Sequence, residues 1–185
     1  GPLLRTMVIQ EIGGTRKTVE RGVSMIHEMI PDLKTLKRQT VPASHLTLGL
    51  ECGGSDAYSG ITANPSLGAA ADLLVRNGGT AILSETPEIY GAEHLLTRRA
   101  VSEKVGRKLV DLIHWWEDYT KLNQSEMNNN PSPGNKAGGL TTILEKSLGA
   151  VAKGGTSPLQ EVYKYVEVVR TKGFVFIERE DKEKD

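Results

Sequence analysis

The stretch "HLTLGLECGGSDAYSGITANP" (residues 45–65) contains, in order, the three parts of an α/β unit. Its leucines alternate with other residues, which predicts a β-strand over 45–52, and the glycine pair that follows breaks this strand. Asn64 stands directly before a proline, a pair typical of the N-cap and first turn of a helix, so a helix is expected over about 65–77. A strand, a glycine turn and a helix in this order are typical of an α/β fold.

The same alternation continues on both sides of this stretch. Further strands are predicted at 7–10, at 78–85 and at the strand-like segments 159–169 and 173–177, which we interpret as a sheet edge or a small extension. Further helices are predicted from Thr15, from Ser102 to about 122, and over 140–151. We therefore expect a mostly parallel sheet in which the strands near 8–10, 46–50 and 80–84 are neighbours.

Composition excludes several classes of protein. The 185 residues include 23 Lys and Arg against 23 Asp and Glu, so neither nucleic acid nor an anionic membrane is the expected partner. The single cysteine, Cys52, excludes a disulfide within the chain and favours a reducing cytoplasm. No apolar run is long enough for a membrane span. We expect residues 1–177 to form part of a catalytic domain, and 178–185 to be a charged tail.

Three polar loops follow predicted elements and precede helices, at 51–65, 84–94 and 128–139. Ligands of parallel α/β folds bind beyond the carboxyl ends of the strands, where the N-termini of helices favour anions. The first loop carries these polar side chains: Cys52, Ser55, Asp56, Ser59, Thr62 and Asn64. They can form a binding site or only a turn, since Asn64 is also a helix cap and Cys52 is also a small buried residue.

The second loop carries Glu85, Glu88 and His94. Carboxylates with a histidine suit a hard divalent metal or proton transfer. If a helix begins at Pro87, Glu88 and His94 lie on different faces, so Glu85 pairs more readily with either of them. Glu88 alone is also typical of a first helical turn.

The third loop, "NNNPSPGNKAGG" (128–139), has the composition of a linker. Its two prolines nevertheless stiffen the chain, and Asn135 and Lys136 offer amide and ammonium donors for a carboxylate or phosphate. We favour an ordered loop over a linker, and we expect Gly138 and Gly139 to begin the next helix.

The motifs "CGGSDAYSGITANP" (52–65), "SETPEIYGAEHLLTRRA" (84–100) and "NPSPGNKAGG" (130–139), in this order, resemble the galactarate/altronate dehydratase family, which includes the large subunit of sulfolactate sulfo-lyase. The resemblance covers about residues 7–177. It implies a partial, Rossmann-like three-layer α/β domain of a cytoplasmic homodimer. It also implies a lyase that removes water from altronate or galactarate through an enediolate, with the help of a divalent metal such as Fe²⁺ or Mn²⁺. The remainder of the catalytic domain would be a partner of this chain.

Resemblance and loop chemistry together give candidate roles. The catalytic candidates are Asp56, Glu85, His94 and Lys136. The candidates for substrate binding are Ser55, Ser59, Thr62, Asn64, Asn130, Ser132, Asn135 and Lys136. The candidate metal ligands are Asp56, Glu85 and Glu88. Two alternatives stay open: a carbon–sulfur lyase of the sulfolactate type, and a non-catalytic fragment that binds a sugar acid. A dinucleotide-binding module is disfavoured because the sequence lacks GxGxxG.

Overall fold

The computed structural model describes residues 4–34 and 36–178, which form two units that divide after Val41. The first unit contains helix α1, Ile9–Ile12, and helix α2, Thr15–Leu33. The prediction of a strand at 7–10 is wrong, because the short apolar run forms a helical turn that Gly13 ends in a left-handed conformation. The helix predicted from Thr15 is confirmed, although none of its residues is buried within the chain.

A four-stranded sheet organises the second unit. Its strands are β1 (Thr47–Leu50), β2 (Thr80–Leu83), β3 (Leu159–Tyr163) and β4 (Gly173–Ile177). The order is β1-β2-β4-β3, and every neighbouring pair is parallel. The α/β class, the parallel sheet and the pairing of the strands near 46–50 and 80–84 are thereby confirmed. β3 lies at an edge of the sheet, which is one of the two positions expected for segment 159–169. β4 lies inside the sheet, between β2 and β3.

Five helices of the second unit surround this sheet in the described residues: α3 (Ala63–Arg76), α4 (His94–Thr97), α5 (Glu103–Leu122), α6 (Pro133–Ala137) and α7 (Ile143–Ala152). Short 3-10 helices cover Ala43–His45, Thr86–Ile89 and Met127–Asn129. Helix α5 begins as predicted after Ser102, whose hydroxyl accepts the N–H of Val105 at 3.3 Å. Within the described ranges, no helix is both long and apolar enough to cross a membrane.

The core lies between the sheet and its helices. Leu50, Leu83 and Phe176 stand at paired positions of β1, β2 and β4, and all three side chains are buried. Leu109 of α5 belongs to the same cluster. Full burial of side chains of this size stabilises the fold by about 1.5–3 kcal/mol each. The core therefore fixes the strands whose carboxyl ends carry the polar loops.

Residues 128–139 are not an unstructured linker. Ser132 and Asn135 cap α6 reciprocally: the Ser132 hydroxyl accepts the Asn135 N–H at 3.2 Å, and the Asn135 carbonyl oxygen accepts the Ser132 N–H at 2.9 Å. The prediction that Gly138 and Gly139 begin the next helix is wrong. The Gly138 N–H donates to the Gly134 carbonyl at the end of α6, and Gly139 has a left-handed φ of 97°. Helix α7 begins after Thr142, whose hydroxyl is an acceptor that glycine lacks.

Candidate functional site

Buried polar side chains gather in the loops beyond the carboxyl ends of β1 and β2, in the segment 128–139 that follows α5, and along α7 to the residue after it. We call the following residues the polar cluster: Cys52, Glu85, Glu88, Asn130, Asn135, Lys146 and Lys153. All except Cys52, which is half-buried, are buried. Removing such groups from water costs free energy unless they gain hydrogen-bonding or charged partners within the protein.

The first part of the cluster is built around an ion pair between helix α7 and the 3-10 helix at 86–89. Lys146 Nζ lies 3.7 Å from Glu88 Oε1, and each side chain is only 2% exposed. The side-chain amide of Asn130 donates to the same Glu88 oxygen at 2.9 Å. Lys146 Nζ donates to the side-chain oxygen of Asn135, Oδ1, at 3.3 Å. The Asn135 amide in turn donates to the Ser55 carbonyl at 2.8 Å. The network thus ties all three predicted loops to α7.

The second part of the cluster joins Cys52, Glu85 and Lys153. Lys153 Nζ donates to Cys52 Sγ at 2.7 Å, and the Cys52 N–H donates to Glu85 Oε2 at 2.6 Å. Glu85 has a φ of 79°, a left-handed conformation that is costly for a side-chain-bearing residue and recurs at functional sites. Burial raises the pKa of the Cys52 thiol, the Lys153 ammonium opposes this rise, and the Glu85 carboxylate adds to it.

A cavity of about 280 Å³ lies between the first loop and α7. Its polar lining includes Ser55, Asp56, Ser59, Asn64 and Lys146. The loop approaches α7 closely, since a Cβ on Gly149 would lie 3.0 Å from the Gly60 Cα. The cavity is therefore large enough for a small polar molecule, and the buried Lys146 is one of its lining residues.

The remaining side chains of the first loop mainly hold the backbone. Asp56 Oδ1 accepts the N–H groups of Tyr58 at 3.0 Å and Ser59 at 2.7 Å. The exposed Thr62 donates to the Tyr58 carbonyl at 2.8 Å. The interpretation of Asn64 as a cap is wrong, because it lies inside α3 and donates to the Gly149 carbonyl at 3.0 Å. Its amide satisfies a buried carbonyl of α7 instead of its own helix end.

Two predicted catalytic residues lie outside the cluster. Lys136 is exposed on α6, and its ammonium makes no hydrogen bond or ion pair with another described residue. His94 is exposed at the start of α4, and the same holds for its imidazole within the described ranges. The structure therefore brings Glu85, Glu88, Asn130 and Asn135 together, and leaves these two apart.

Comparison with known proteins identifies the family of this chain. Residues 43–184 match the family described as "D-galactarate/Altronate dehydratase, C-terminal". The chain belongs to this family. It is 47% identical over 159 residues to altronate dehydratase of Bacillus subtilis, covering 86% of this chain and 32% of that protein. It is 46% identical over 149 residues to galactarate dehydratase (L-threo-forming) of Escherichia coli, covering 80% and 28%.

A more distant relative is the subunit beta of (2R)-sulfolactate sulfo-lyase of Chromohalobacter salexigens, 32% identical over 147 residues that cover 78% of this chain and 38% of that subunit. The resemblance seen in the motifs is thereby confirmed. The chain spans about a third of the length of these curated relatives.

Sequence reasoning missed Lys146 and Lys153. Lys146 lies in α7 and Lys153 directly follows this helix. The two stand seven residues apart, close to two helical turns, so they lie on the same side as the buried Ile143 and Ala150. The signal that could have identified them is a lysine at the period of the apolar stripe, in a helix with few other charges. The prediction instead chose Lys136 because it lies in a loop.

The metal expected for this dehydratase family stays a prediction. Within residues 4–34 and 36–178, no group of three His, Cys, Asp or Glu side chains is arranged to hold an ion. Asp56 is engaged in its turn and Glu88 with Lys146. The described residues alone therefore do not present a set of three side-chain ligands for Fe²⁺ or Mn²⁺.

Proposed function

We propose that this chain forms the part of a sugar-acid dehydratase that binds the substrate's carboxylate. The observation that carries the proposal is Lys146, a buried lysine among the residues that line the cavity beside the first loop. Relatives named altronate dehydratase and galactarate dehydratase support the substrate class. Further polypeptide completes the catalytic domain, since the chain spans only about a third of these relatives.

Removal of water from a sugar acid begins with loss of the proton alpha to the carboxylate. Negative charge then develops on the carboxylate oxygens as an enediolate forms. A cation that is fixed in a site with little water stabilises this charge more strongly than one in bulk solvent. The β C–O bond then breaks, the hydroxyl leaves as water with a proton from an acid, and the enol tautomerises to a 2-keto-3-deoxy acid.

Lys146 is the group that we assign to the carboxylate. Asn135 and Glu88 position Lys146, because both contact its ammonium group. Asn64, Ser55 and Ser59 line the same cavity, where hydroxyl and amide groups suit a polyol. Ser132 acts indirectly, through its cap on Asn135.

Proton transfer requires a carboxylate or amine near the reacting carbon. Glu85 and Asp56 are our candidates for acid and base, Glu85 because it is buried in the cluster and Asp56 because it lines the cavity. His94, Lys136 and Thr62 are exposed, so they contact substrate only if the rest of the enzyme covers them. We propose a homodimer without nucleic-acid or membrane partners, located in the cytoplasm, as the working assembly.

The test is a dehydratase assay on the complete enzyme that contains this chain. Altronate, galactarate and other aldonates and aldarates are supplied with anaerobic Fe²⁺, and formation of 2-keto-3-deoxy acid is measured. Lys146→Met should lower kcat/KM by about 30- to 1000-fold, the usual effect of removing a buried charge partner. Lys104→Met, a matched loss of an exposed ammonium on α5, should change kcat/KM less than threefold.

Sulfite release from sulfolactate, without turnover of any sugar acid, would favour the carbon–sulfur lyase instead. That alternative is less well supported, because the sulfo-lyase subunit is 32% identical to this chain whereas the two dehydratases are 46% and 47% identical. Binding of a sugar acid without turnover in the complete enzyme would favour the other alternative, a non-catalytic fragment that binds a sugar acid.

A further inference from the structure

The contact between Cys52 and Lys153 has no part in the dehydration steps above. Helix α7 ends at Ala152, and the buried Lys153 that follows points its ammonium group at the thiol of the first loop. Cys52 Sγ is its one hydrogen-bond partner in the described residues, and no described carboxylate forms an ion pair with it. Buried lysines usually pair with carboxylates, so this partner is unusual.

The separation of the two atoms is short. Sγ and Nζ lie 2.7 Å apart, the lower limit for N–H···O hydrogen bonds, although sulfur is larger than oxygen. Cys52 as a residue is half-buried and the glycines after it are exposed, so a molecule as small as hydrogen peroxide can approach this part of the first loop. Both side chains are held in place, Cys52 through the bond from its N–H to Glu85 and Lys153 through its position directly after α7.

We propose that Cys52 and Lys153 form a peroxide-sensitive modification site, in which oxidation joins Sγ to Nζ through a single oxygen atom. The oxidant class is a hydroperoxide. The proposal is independent of the dehydratase assignment, since it needs only the two side chains in contact.

The reaction balances with two equivalents of hydrogen peroxide. The first oxidises the thiol by two electrons to a sulfenic acid and releases water. The Lys153 ammonium gives a proton to solvent, and the second equivalent oxidises the amine by two electrons to a hydroxylamine and releases water. The hydroxylamine oxygen then attacks sulfur, the S–OH bond breaks, and a third water leaves. The product is an S–O–N bridge. Four thiol groups of an added reductant return it to cysteine and lysine: they supply four electrons, become two disulfides, and the bridging oxygen leaves as water.

The bridge would have a structural consequence. It would fix the first loop to the residue that directly follows α7, the helix that carries Lys146. Because Cys52 is the single cysteine of the chain, no disulfide within the chain can compete with this reaction. The outcome can therefore be assigned by mass spectrometry without ambiguity between thiols.

The experiment treats the 185-residue chain with hydrogen peroxide, digests it without reductant, and sequences the peptides by mass spectrometry. The expected result is a peptide pair joined between Cys52 and Lys153, with one oxygen gained and two hydrogens lost. Dithiothreitol should separate the pair and restore both unmodified peptides.

Variants test the role of the lysine. Lys153→Arg and Lys153→Met should abolish the linked pair and leave Cys52 as sulfenic or sulfinic acid, whereas Lys104→Met on the exposed face of α5 should retain it. The proposal is overturned if wild-type chain gives only sulfur acids or intermolecular disulfides, or a pair that lacks the added oxygen. Because these outcomes are read on the wild-type chain, a variant that fails to fold leaves the test intact.

Discussion

Lys146 and Glu88 place opposite charges where water is excluded. A buried pair of this kind adds little stability relative to apolar residues of the same size, but loss of one partner leaves an uncompensated charge. Asn130 and Asn135 satisfy further hydrogen-bonding groups of the two side chains. Such a pair is therefore weak evidence for stability and better evidence for a site that needs a fixed charge.

A single and a double variant test this account of the ion pair. Lys146→Met should lower the free energy of unfolding by about 3–5 kcal/mol, because Glu88 stays buried without its cation. In Lys146→Met with Glu88→Gln the loss should be smaller, since the neutral amide still accepts from Asn130. Urea denaturation of the chain measures both. Equal losses in the single and double variants would contradict the pairing, and Lys136→Met should change stability by less than about 0.5 kcal/mol.

The two lysines also show where sequence reasoning stops at this scale. Lys136 and Lys146 are ten residues apart, and composition favoured the one in the loop. Whether a helical lysine is buried depends on the partner that packs over it, here Glu88 from a segment 58 residues earlier. Residue types in loops predicted the carboxylates and amides of the cluster, whereas long-range packing decided which ammonium joins them.

Helices α3 and α7 are held together by a carboxylate and a glycine. Asp72 of α3 accepts the N–H and hydroxyl groups of Thr156 and Ser157, in the turn after α7. Gly68, one turn earlier, lies against the Ala152 carbonyl. This clamp fixes the end of α7 and with it the position of Lys153.

The clamp should make stability depend on pH. Partial burial works against ionisation of Asp72, but the hydrogen bonds from Ser157 and Thr156 prevail and hold its pKa below the ordinary value. The stabilising effect of the Asp72 carboxylate is therefore complete above its pKa of about 4 in the unfolded chain. It is lost as the pH falls through the lower pKa of the same group in the folded protein. The difference in unfolding free energy between wild type and Asp72→Ala should be largest near pH 7 and shrink below about pH 4. A difference that stays constant with pH would contradict this.

Gly68 allows a second test of the same packing. A Cβ at this position would collide with the Ala152 carbonyl oxygen, so Gly68→Ala should cost about 1–3 kcal/mol or more. Gly49→Ala in β1 is the matched control, because no atom lies within 4 Å of its added Cβ. Thermal unfolding of both variants gives the comparison, and an equal Tm would argue against close packing of α3 on α7.

Across the whole molecule, the sheet order explains which predictions succeeded. The strands near 46–50 and 80–84 are consecutive in the chain and adjacent in space, so alternation and turn signals were sufficient to pair them. The place of β4 was not predictable in this way, because strand partners depend on the complete topology. Its continuous apolar run "GFVFI" is typical of a strand that is covered on both faces, and this is what the burial of 174–176 shows.

Amide hydrogen exchange should reflect this order. β2 and β4 each have strands on both sides, so their amides should exchange only on global unfolding. β1 and β3 lie at the edges of the described sheet and should exchange through smaller openings, at least tenfold faster. Hydrogen–deuterium exchange with mass spectrometry reads all four segments, and faster exchange in β4 than in β3 would contradict the topology.

The insertion of β4 between β2 and β3 also bears on biosynthesis. A ribosome releases the chain from its N-terminus, so β1, β2 and β3 leave the exit tunnel before residues 173–177. Until residues 173–177 emerge, β2 and β3 have no strand between them. The nascent chain then exposes the unpaired backbone N–H and C=O groups of the strand edges that later pair with β4. A nascent chain that stalls before residue 173 should therefore depend on chaperones, whereas one that has extruded residue 177 can close the sheet in a single step.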